Sequence, residues 1–381
     1  MQGRTRKMKL IVDQNIPYGE QAFSQFGDVE LHAGRGLGAD VVRGAGALVV
    51  RSVTKVNAAL LTGSSVRFVG TATIGTDHLD IPWLESQGIA WTSAQGCNAN
   101  SVVEWVMAAL AEWGLANGRD WRGVTIGIVG HGNIGSRLAA RAHLLGMKTL
   151  ICDPPLHRAG RLPNHVGLDQ LMAEADVVSF HVPLIRAGED KTVGLVTPAH
   201  LASMKKGAVL LNASRGEVIE TASLLKARPD ITLILDVFEN EPEPDKRLIE
   251  RCFLVSPHVA GYSYEGKVNG TRMITEALAK HLGVENAWQP TTLPPDHPIV
   301  PIASGELLQV VADAIRHSYD LRRDDADLRA GLGLAPGAWG EHFDKLRRNY
   351  PRRREFRRYR VEAPLPANIR GTLMALGFQL H

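Results

Sequence analysis

Cysteine is scarce. Three residues in 381, Cys97, Cys152 and Cys252, stand far apart with neither CxxC nor metal-ligand spacing. That argues against a disulfide scaffold and a zinc module, and suits small buried thiols in a reducing cytosol. No apolar run approaches the length of a membrane span. Residues 1–7 are basic but have no apolar stretch behind them, so they read as a ragged end rather than a secretory signal. Excess charge is missing as well. The chain has 43 Lys and Arg against 40 Asp and Glu, a net +3 with a pI near 8.7, too mild to argue for nucleic acid. No repeat recurs at a fixed period. No cluster of His, Cys, Asp or Glu has the spacing of a metal site, and His78 and His181 read as structural. What remains is a globular composition, long enough for two or three domains.

One stretch organises the rest. Residues 124–129 form an apolar strand that breaks into Gly130-x-Gly132-x-x-Gly135, with Asn133 and Ile134 inside the motif. Leu138, Ala142 and Leu145 then recur at helical spacing. Such a strand–turn–helix suits a dinucleotide. Gly130 permits the tight turn, Gly132 lets backbone approach a pyrophosphate, and Gly135 lets helix pack on strand. The helix N-terminus offers N–H groups and partial positive charge. A second strand, 148–152, ends at Asp153, near the spacing of a carboxylate that binds ribose hydroxyls. That acid would repel a 2′-phosphate, so NAD is expected rather than NADP. His131 is expected to point away from the cofactor.

Around this centre the chain alternates. Before it, strands near 8–12, 29–32, 47–51, 67–70 and 89–91 alternate with helical segments, the first over 17–26 and opened by proline. They imply a small parallel α/β domain. Residues 101–116 read as a long helix with Val102, Val106, Ala109 and Trp113 on one face. After the centre, strands at 176–181, 208–212, 232–237 and 253–256 make about six in all, the size of a doubly wound dinucleotide domain. A helix starts at Thr197-Pro198. Residues 271–281 are amphipathic and are expected to return to the first domain. Residues 288–301 hold five prolines and read as a linker. A third unit follows, with a helix near 305–319 and a strand-like end. The expected domains are therefore 8–100 with 262–289, 101–261, and 290–381.

In open parallel sheets ligands sit beyond the carboxyl ends of the strands. Arg215, Glu241 and His258 each fall just past such an end. Arginine offers a planar fork to a carboxylate and polarises a neighbouring carbonyl. Histidine is suited to accept an alcohol proton near neutral pH. A glutamate beside it would fix its tautomer and raise its pKa. Together they suggest hydride transfer at a hydroxy-acid carbon.

Asn212-Ala213-Ser214-Arg215-Gly216, the Asp236-Val237-Phe238-Glu239-Asn240-Glu241-Pro242 stretch and Pro257-His258 resemble the D-isomer-specific 2-hydroxyacid dehydrogenases, which use Arg, Glu and His in this order. Residues 50–56, 68–78, 96–99, 152–155 and 258–267 extend the resemblance toward a branch with an additional C-terminal domain. The resemblance implies an α/β fold: a Rossmann-type dinucleotide domain, a flavodoxin-like substrate domain, and a small α+β C-terminal dimerisation domain that makes a homodimer. It implies oxidation of a phosphorylated 2-hydroxy acid with NAD, with Arg215, Glu241 and His258 in catalysis. Ser52, Thr73 and Tyr262 would contact substrate. Asp153, Asp236 and Gly261 would join Gly130, Gly132, Asn133, Ile134 and Gly135 on the cofactor. Relatives usually have Trp where this chain has Phe238 and Gly where it has Asn240. A threonine often stands where Val182 precedes its proline, so backbone would replace that hydroxyl.

A substrate phosphate needs cations, and Arg51, Lys55 and Lys267 are the candidates. The arginine-rich run 347–360, interleaved with aromatics, reads as a basic face of the third unit opposite Asp324, Asp325 and Asp327, and not as a nucleic-acid site. Other readings are a different phosphorylated 2-hydroxyacid dehydrogenase, such as one acting on 3-phosphoglycerate, and an NAD-sensing binding protein.

Overall fold

The computed structural model describes residues 7–290, 298–303 and 305–380. Residues 1–6 of the basic start and 291–297, half of the proline-rich linker, lie outside them. Two compact units divide the chain: Met1–Asn98 with Ser263–Pro295, and Ala99–Tyr262 with Asp296–His381.

The first unit is built on a parallel sheet of β1 (Met8–Asp13), β2 (Gly27–His32), β3 (Ala47–Val50), β4 (Phe68–Thr71) and β5 (Ala90–Ser93), in the order β2-β1-β3-β4-β5. Every residue of β3 and β4 is buried. That is why they read as unbroken apolar runs rather than alternating ones, since both faces of a parallel sheet are covered. The helix Tyr264–Leu282 starts at a Ser263 cap and stops at Gly283, whose φ of 67° ends it. Its Ile274 and Leu278 are fully buried in one cluster with Leu10, Val12 and Phe68. The helix expected over 17–26 is shorter, Gly19–Phe23, because Tyr18 adopts a left-handed φ of 57° and keeps Pro17 out of it.

The second unit carries β6 (Thr125–Val129), β7 (Lys148–Cys152), β8 (Val177–Phe180), β9 (Val209–Asn212), β10 (Thr232–Leu235) and β11 (Leu254–Val255). All pair in parallel, in the order β11-β10-β9-β8-β6-β7. The chain runs outward from β6 to β7, then crosses back to β8. The crevice between β6 and β8 is therefore the switch point where open α/β sheets bind ligands. The helix Ala99–Asn117 is buried on nearly every side, acids Glu104 and Glu112 included. It is a core-packed helix, and later chain covers the sides away from Val102 and Val106. From the helix Leu307–Ser318, Arg316 donates to both Glu112 oxygens at 2.6 and 2.9 Å.

Residues 296–381 cluster with 99–262 rather than apart from them. Helices Leu307–Ser318, Leu321–Arg329, Ala338–Arg348 and Ala367–Leu376 accompany a small parallel sheet of β12 (Ile299–Val300), β13 (Arg360–Val361) and β14 (Gln379–Leu380). Their side chains complete two cores of the larger sheet. Ile315, Phe356 and Leu373 share a cluster with Val106 and Ile126. Trp339 and Phe343 share another with Val218 and Leu235. Burying an aromatic ring stabilises by about 1.5–3 kcal/mol, so this segment is integral to the unit. Among the described residues no helix is long and apolar enough to cross a membrane, and no group of acids, histidines and cysteines is arranged to hold a metal.

Candidate active site

The three glycines after β6 obey different constraints. Gly130 turns the chain at φ 91°, and a Cβ there would lie 2.5 Å from the His181 carbonyl oxygen. A Cβ on Gly135 would lie 1.9 Å from the Gly130 carbonyl oxygen, so the helix Asn133–Leu144 could not seat on its strand. A Cβ on Gly132 would meet nothing within 4 Å. The fold itself does not require Gly132 to be bare, whereas a ligand pressed against its backbone would. Beside it opens a cavity of about 480 Å³ lined by His131, Gly132, Asn133, Ser136, Leu156 and Arg161. The first turn of a helix has no intrahelical acceptors for its N–H groups, which suits diphosphate. The loop therefore fits a dinucleotide. His131 is among the lining residues, and Arg161 is a cation the motif did not reveal.

Asp153 follows β7. Its Oδ2 accepts the His131 N–H at 2.7 Å, and its Oδ1 accepts the Leu156 N–H at 3.0 Å, capping the turn Pro154–Arg158. A carboxylate has about four acceptor positions, so two stay open for ribose hydroxyls.

Arg215, Glu241 and His258 leave the carboxyl ends of β9, β10 and β11, three adjacent strands. Strands pair about 4.8 Å apart, so the three segments emerge within about 10 Å. Asn212 shapes the first. Its Oδ1 accepts the Ser214 N–H and hydroxyl, and its Nδ2 donates to the Arg215 carbonyl at 2.8 Å. Gly216 must be glycine, because a Cβ there would lie 1.9 Å from the Phe238 carbonyl carbon. In the second segment Asn240 adopts φ 61°, which explains why relatives use glycine there and why asparagine, tolerant of that region, replaces it. Glu241 Oε1 accepts the Phe238 N–H at 3.0 Å. Its Oε2 lies 2.7 Å from His258 Nδ1.

Burial works to raise the Glu241 carboxyl. The charge and hydrogen bond of His258, the Arg347 guanidinium and the Phe238 N–H outweigh it and hold the group below its ordinary range. The glutamate is thus ionised and takes the Nδ1–H, which leaves Nε2 to exchange a proton. The His258 side chain is 32% exposed and Glu241 18%, so the imidazole is reachable and its orienter is sheltered.

His258 stands at φ 56°, a conformation costing about 1–2 kcal/mol for a side-chain-bearing residue. Its surroundings hold it there. The His258 N–H donates to the Asp236 carbonyl at 2.7 Å. Asp236 Oδ1 accepts from the Val259 and Ala260 N–H groups at 2.8 and 3.1 Å and from the Ser256 hydroxyl at 2.6 Å. Trp105 Nε1 donates to that hydroxyl oxygen. Asp236, expected on the cofactor, is 1% exposed and lies beneath the histidine loop. Its burial pushes the carboxyl up against the pull of His258 and these donors.

The same loop ends at Gly261 and Tyr262. The Tyr262 ring meets Tyr350 edge-on, centroids 5.7 Å apart, and the Arg347 guanidinium lies 6.0 Å from the Tyr262 centroid. The arginine-rich run is therefore no simple basic face. Arg353 is 5% exposed, and Arg354 and Glu355 are buried with it. Spacing alone does not distinguish these from solvated arginines, and a mild net charge leaves no surplus to mark them.

The remaining candidates belong to the first unit. Ser52 and Thr73 follow the adjacent strands β3 and β4. Ser52 is exposed. The Thr73 hydroxyl pairs with Thr71 at 2.8 Å, and Thr71 with His78 Nε2 at 3.0 Å, so His78 serves as a structural support. Lys267 is brought to about 8 by burial first and the neighbouring Arg51 charge second. Like charges kept together in part-buried surroundings favour an anion between them. Lys55 is exposed.

Residues 100–260 match the family model described as D-isomer specific 2-hydroxyacid dehydrogenase, NAD binding domain, and residues 296–377 match a domain of unknown function. The chain is 44% identical to the erythronate-4-phosphate dehydrogenase of Yersinia pestis (strain Pestoides F), covering 97% of this chain and 99% of that protein. Among solved structures, the TT0316 protein of Thermus thermophilus superimposes with a TM-score of 0.62 at 25% identity, over 74% of this chain and 99% of that one. The NAD⁺-bound 3-phosphoglycerate dehydrogenase of Entamoeba histolytica gives 0.63 at 22% identity, over 75% of this chain and 99% of that one, a likeness of fold. The chain is thus α/β, with two parallel sheets and a small C-terminal sheet.

Proposed function

The chain belongs to the erythronate-4-phosphate dehydrogenase family of NAD-dependent oxidoreductases, and we propose on that premise how its own residues perform the oxidation of 4-phospho-D-erythronate to 3-hydroxy-2-oxo-4-phosphobutanoate, a step of vitamin B6 synthesis. The observation that carries the reading is the 2.7 Å Glu241–His258 pair, mounted at the carboxyl edge of the sheet that bears the glycine loop.

NAD, when bound at Gly130, Gly132, Asn133, Ile134 and Gly135, with Asp153 on its ribose and Asp236 and Gly261 toward its other end, supplies the hydride acceptor. Arg215 grips the substrate carboxylate with its fork and polarises the oxygen at C2. His258 Nε2 takes the C2 hydroxyl proton, and Glu241 stabilises the imidazolium that forms. A positioned general base of this kind contributes roughly 10²- to 10⁴-fold. Ser52, Thr73 and Tyr262 orient the substrate. Arg51 and Lys267 receive the phosphate, each charge-assisted bond adding about 1.5–3 kcal/mol. In domain terms, the reading comprises a flavodoxin-like substrate domain (8–100, 262–289), a Rossmann-type NAD domain (101–261) and a C-terminal dimerisation domain (290–381), working in the cytoplasm.

The test is NADH formation by the purified protein with 4-phosphoerythronate, 3-phosphoglycerate and unphosphorylated erythronate. The expected result is a strong preference for the first. Lys267 is charged below about pH 8, so KM for 4-phosphoerythronate should climb as pH rises through that value while KM for erythronate stays level. Better turnover of 3-phosphoglycerate would move the substrate assignment. No NAD reduction with any of the three, even with a 2-oxo acid added to reoxidise retained NADH, would overturn the dehydrogenase chemistry.

A further inference from the structure

We propose that Arg353 is a positioning residue of this reaction, reaching from the C-terminal segment to fix the loop that carries His258. The proposal rests on His258 being the proton acceptor assigned above.

Asp236 holds the 256–262 loop only by its donors, the N–H groups of His258, Val259 and Ala260 and the hydroxyl of Ser256. The loop's acceptor side is held by the C-terminal segment. Arg353 Nη1 donates to the Ala260 carbonyl at 3.1 Å, and Nη2 donates to the Ser101 carbonyl at 2.5 Å. One planar guanidinium thus bridges the histidine loop to the buried helix Ala99–Asn117. It cannot swing away. Its Cζ lies 3.7 Å from the Tyr319 ring centroid, and a Glu104 carboxyl oxygen stands 3.9 Å from Nη2. Tyr319 and Tyr350 both donate to Asp324 Oδ2, at 2.8 and 2.9 Å, which locks the ring beneath the guanidinium.

The same segment holds the loop at its two ends. Asp325 Oδ1 accepts the Val255 N–H at 2.9 Å, and the Tyr350 ring packs edge-on against Tyr262. His258 keeps an unfavourable φ and a 2.7 Å bond to Glu241, so it needs a loop fixed from both sides. A displacement near 1 Å at such a site can lower the rate by about 10²-fold. Lysine presents a point charge and cannot span two carbonyls as the arginine fork does.

The experiment compares wild type, R353K and Y350A in the full-length protein. It reads kcat, KM, the pH profile of kcat, and NAD affinity by fluorescence titration. R353K is expected to lose 10- to 100-fold in kcat with NAD affinity within two-fold of wild type. With the imidazole loosened from Glu241, its protonated form is less favoured, so the acid limb of the profile should move to lower pH. Y350A keeps the Arg353 fork and removes the ring against Tyr262 at the loop's far end, together with one of the two hydroxyls on Asp324. It should shift both quantities the same way by less, and it carries the test if R353K does not bind NAD. Wild-type kcat and profile in a folded variant, or a fall in kcat with the acid limb unmoved, overturns the positioning role. A wild type that turns over no substrate overturns the assigned reaction instead, so the two claims fail separately.

Discussion

Adding one methyl group to either of two glycines in the same loop should give opposite outcomes. Gly135 sits where a Cβ would reach 1.9 Å from backbone, so G135A should destabilise the fold by several kcal/mol and lower the melting temperature sharply. Gly132 has nothing within 4 Å, so G132A should melt like wild type yet lose at least tenfold in NAD affinity. Differential scanning fluorimetry with and without NAD separates them. An unchanged affinity in G132A would mean that no ligand approaches that backbone. The glycine spacing was legible because it is a local pattern with a local reason. Arg353 was not. It sits in a run of arginines, and nothing within a few residues distinguishes the buried guanidinium from its neighbours. Its role is decided by Ala260 and Ser101, far away in sequence.

At the scale of elements, the helix Ala99–Asn117 holds an acid in its core. Burial, with the Glu355 charge adding to it, pushes Glu104 up to about 8, against Arg353, the Phe356 N–H and Arg141. Its unfolded value is near 4.5, so between 4.5 and 8 the folded chain binds a proton that the unfolded chain has released. This contribution to stability is full below 4.5 and is lost as pH climbs to 8. E104Q keeps an oxygen for the Phe356 N–H and cannot ionise. Melts of both proteins from pH 5 to 9 should diverge, with E104Q the more stable above pH 8 by a few kcal/mol, an order-of-magnitude figure. Parallel curves would show that Glu104 is ionised throughout. Element boundaries were legible where apolar runs meet charged or glycine breaks, as at Lys148–Cys152. They were misread where the cause is tertiary. Tyr18 enters a left-handed turn that no propensity announces.

For the whole molecule, the prediction concerns assembly. The homodimer belongs to the reading drawn from resemblance, so light scattering of the purified protein should give twice 41.4 kDa, and the mass of one chain would remove the dimer. The order of the elements along the chain has a further consequence, set by the grip of Asp325, Tyr350 and Arg353 on the histidine loop. A ribosome makes the glycine loop, all six strands of the large sheet and the reacting trio before it reaches any of those three clamps. A nascent chain stalled near residue 300 lacks both the groups that hold His258 against Glu241 and the side chains that complete the cores beneath the glycine loop. The sheet that carries the glycine loop gains Ile315, Phe343 and Phe356 in its cores only when that same late segment arrives, so during synthesis cofactor affinity and turnover wait on the same residues and arrive together.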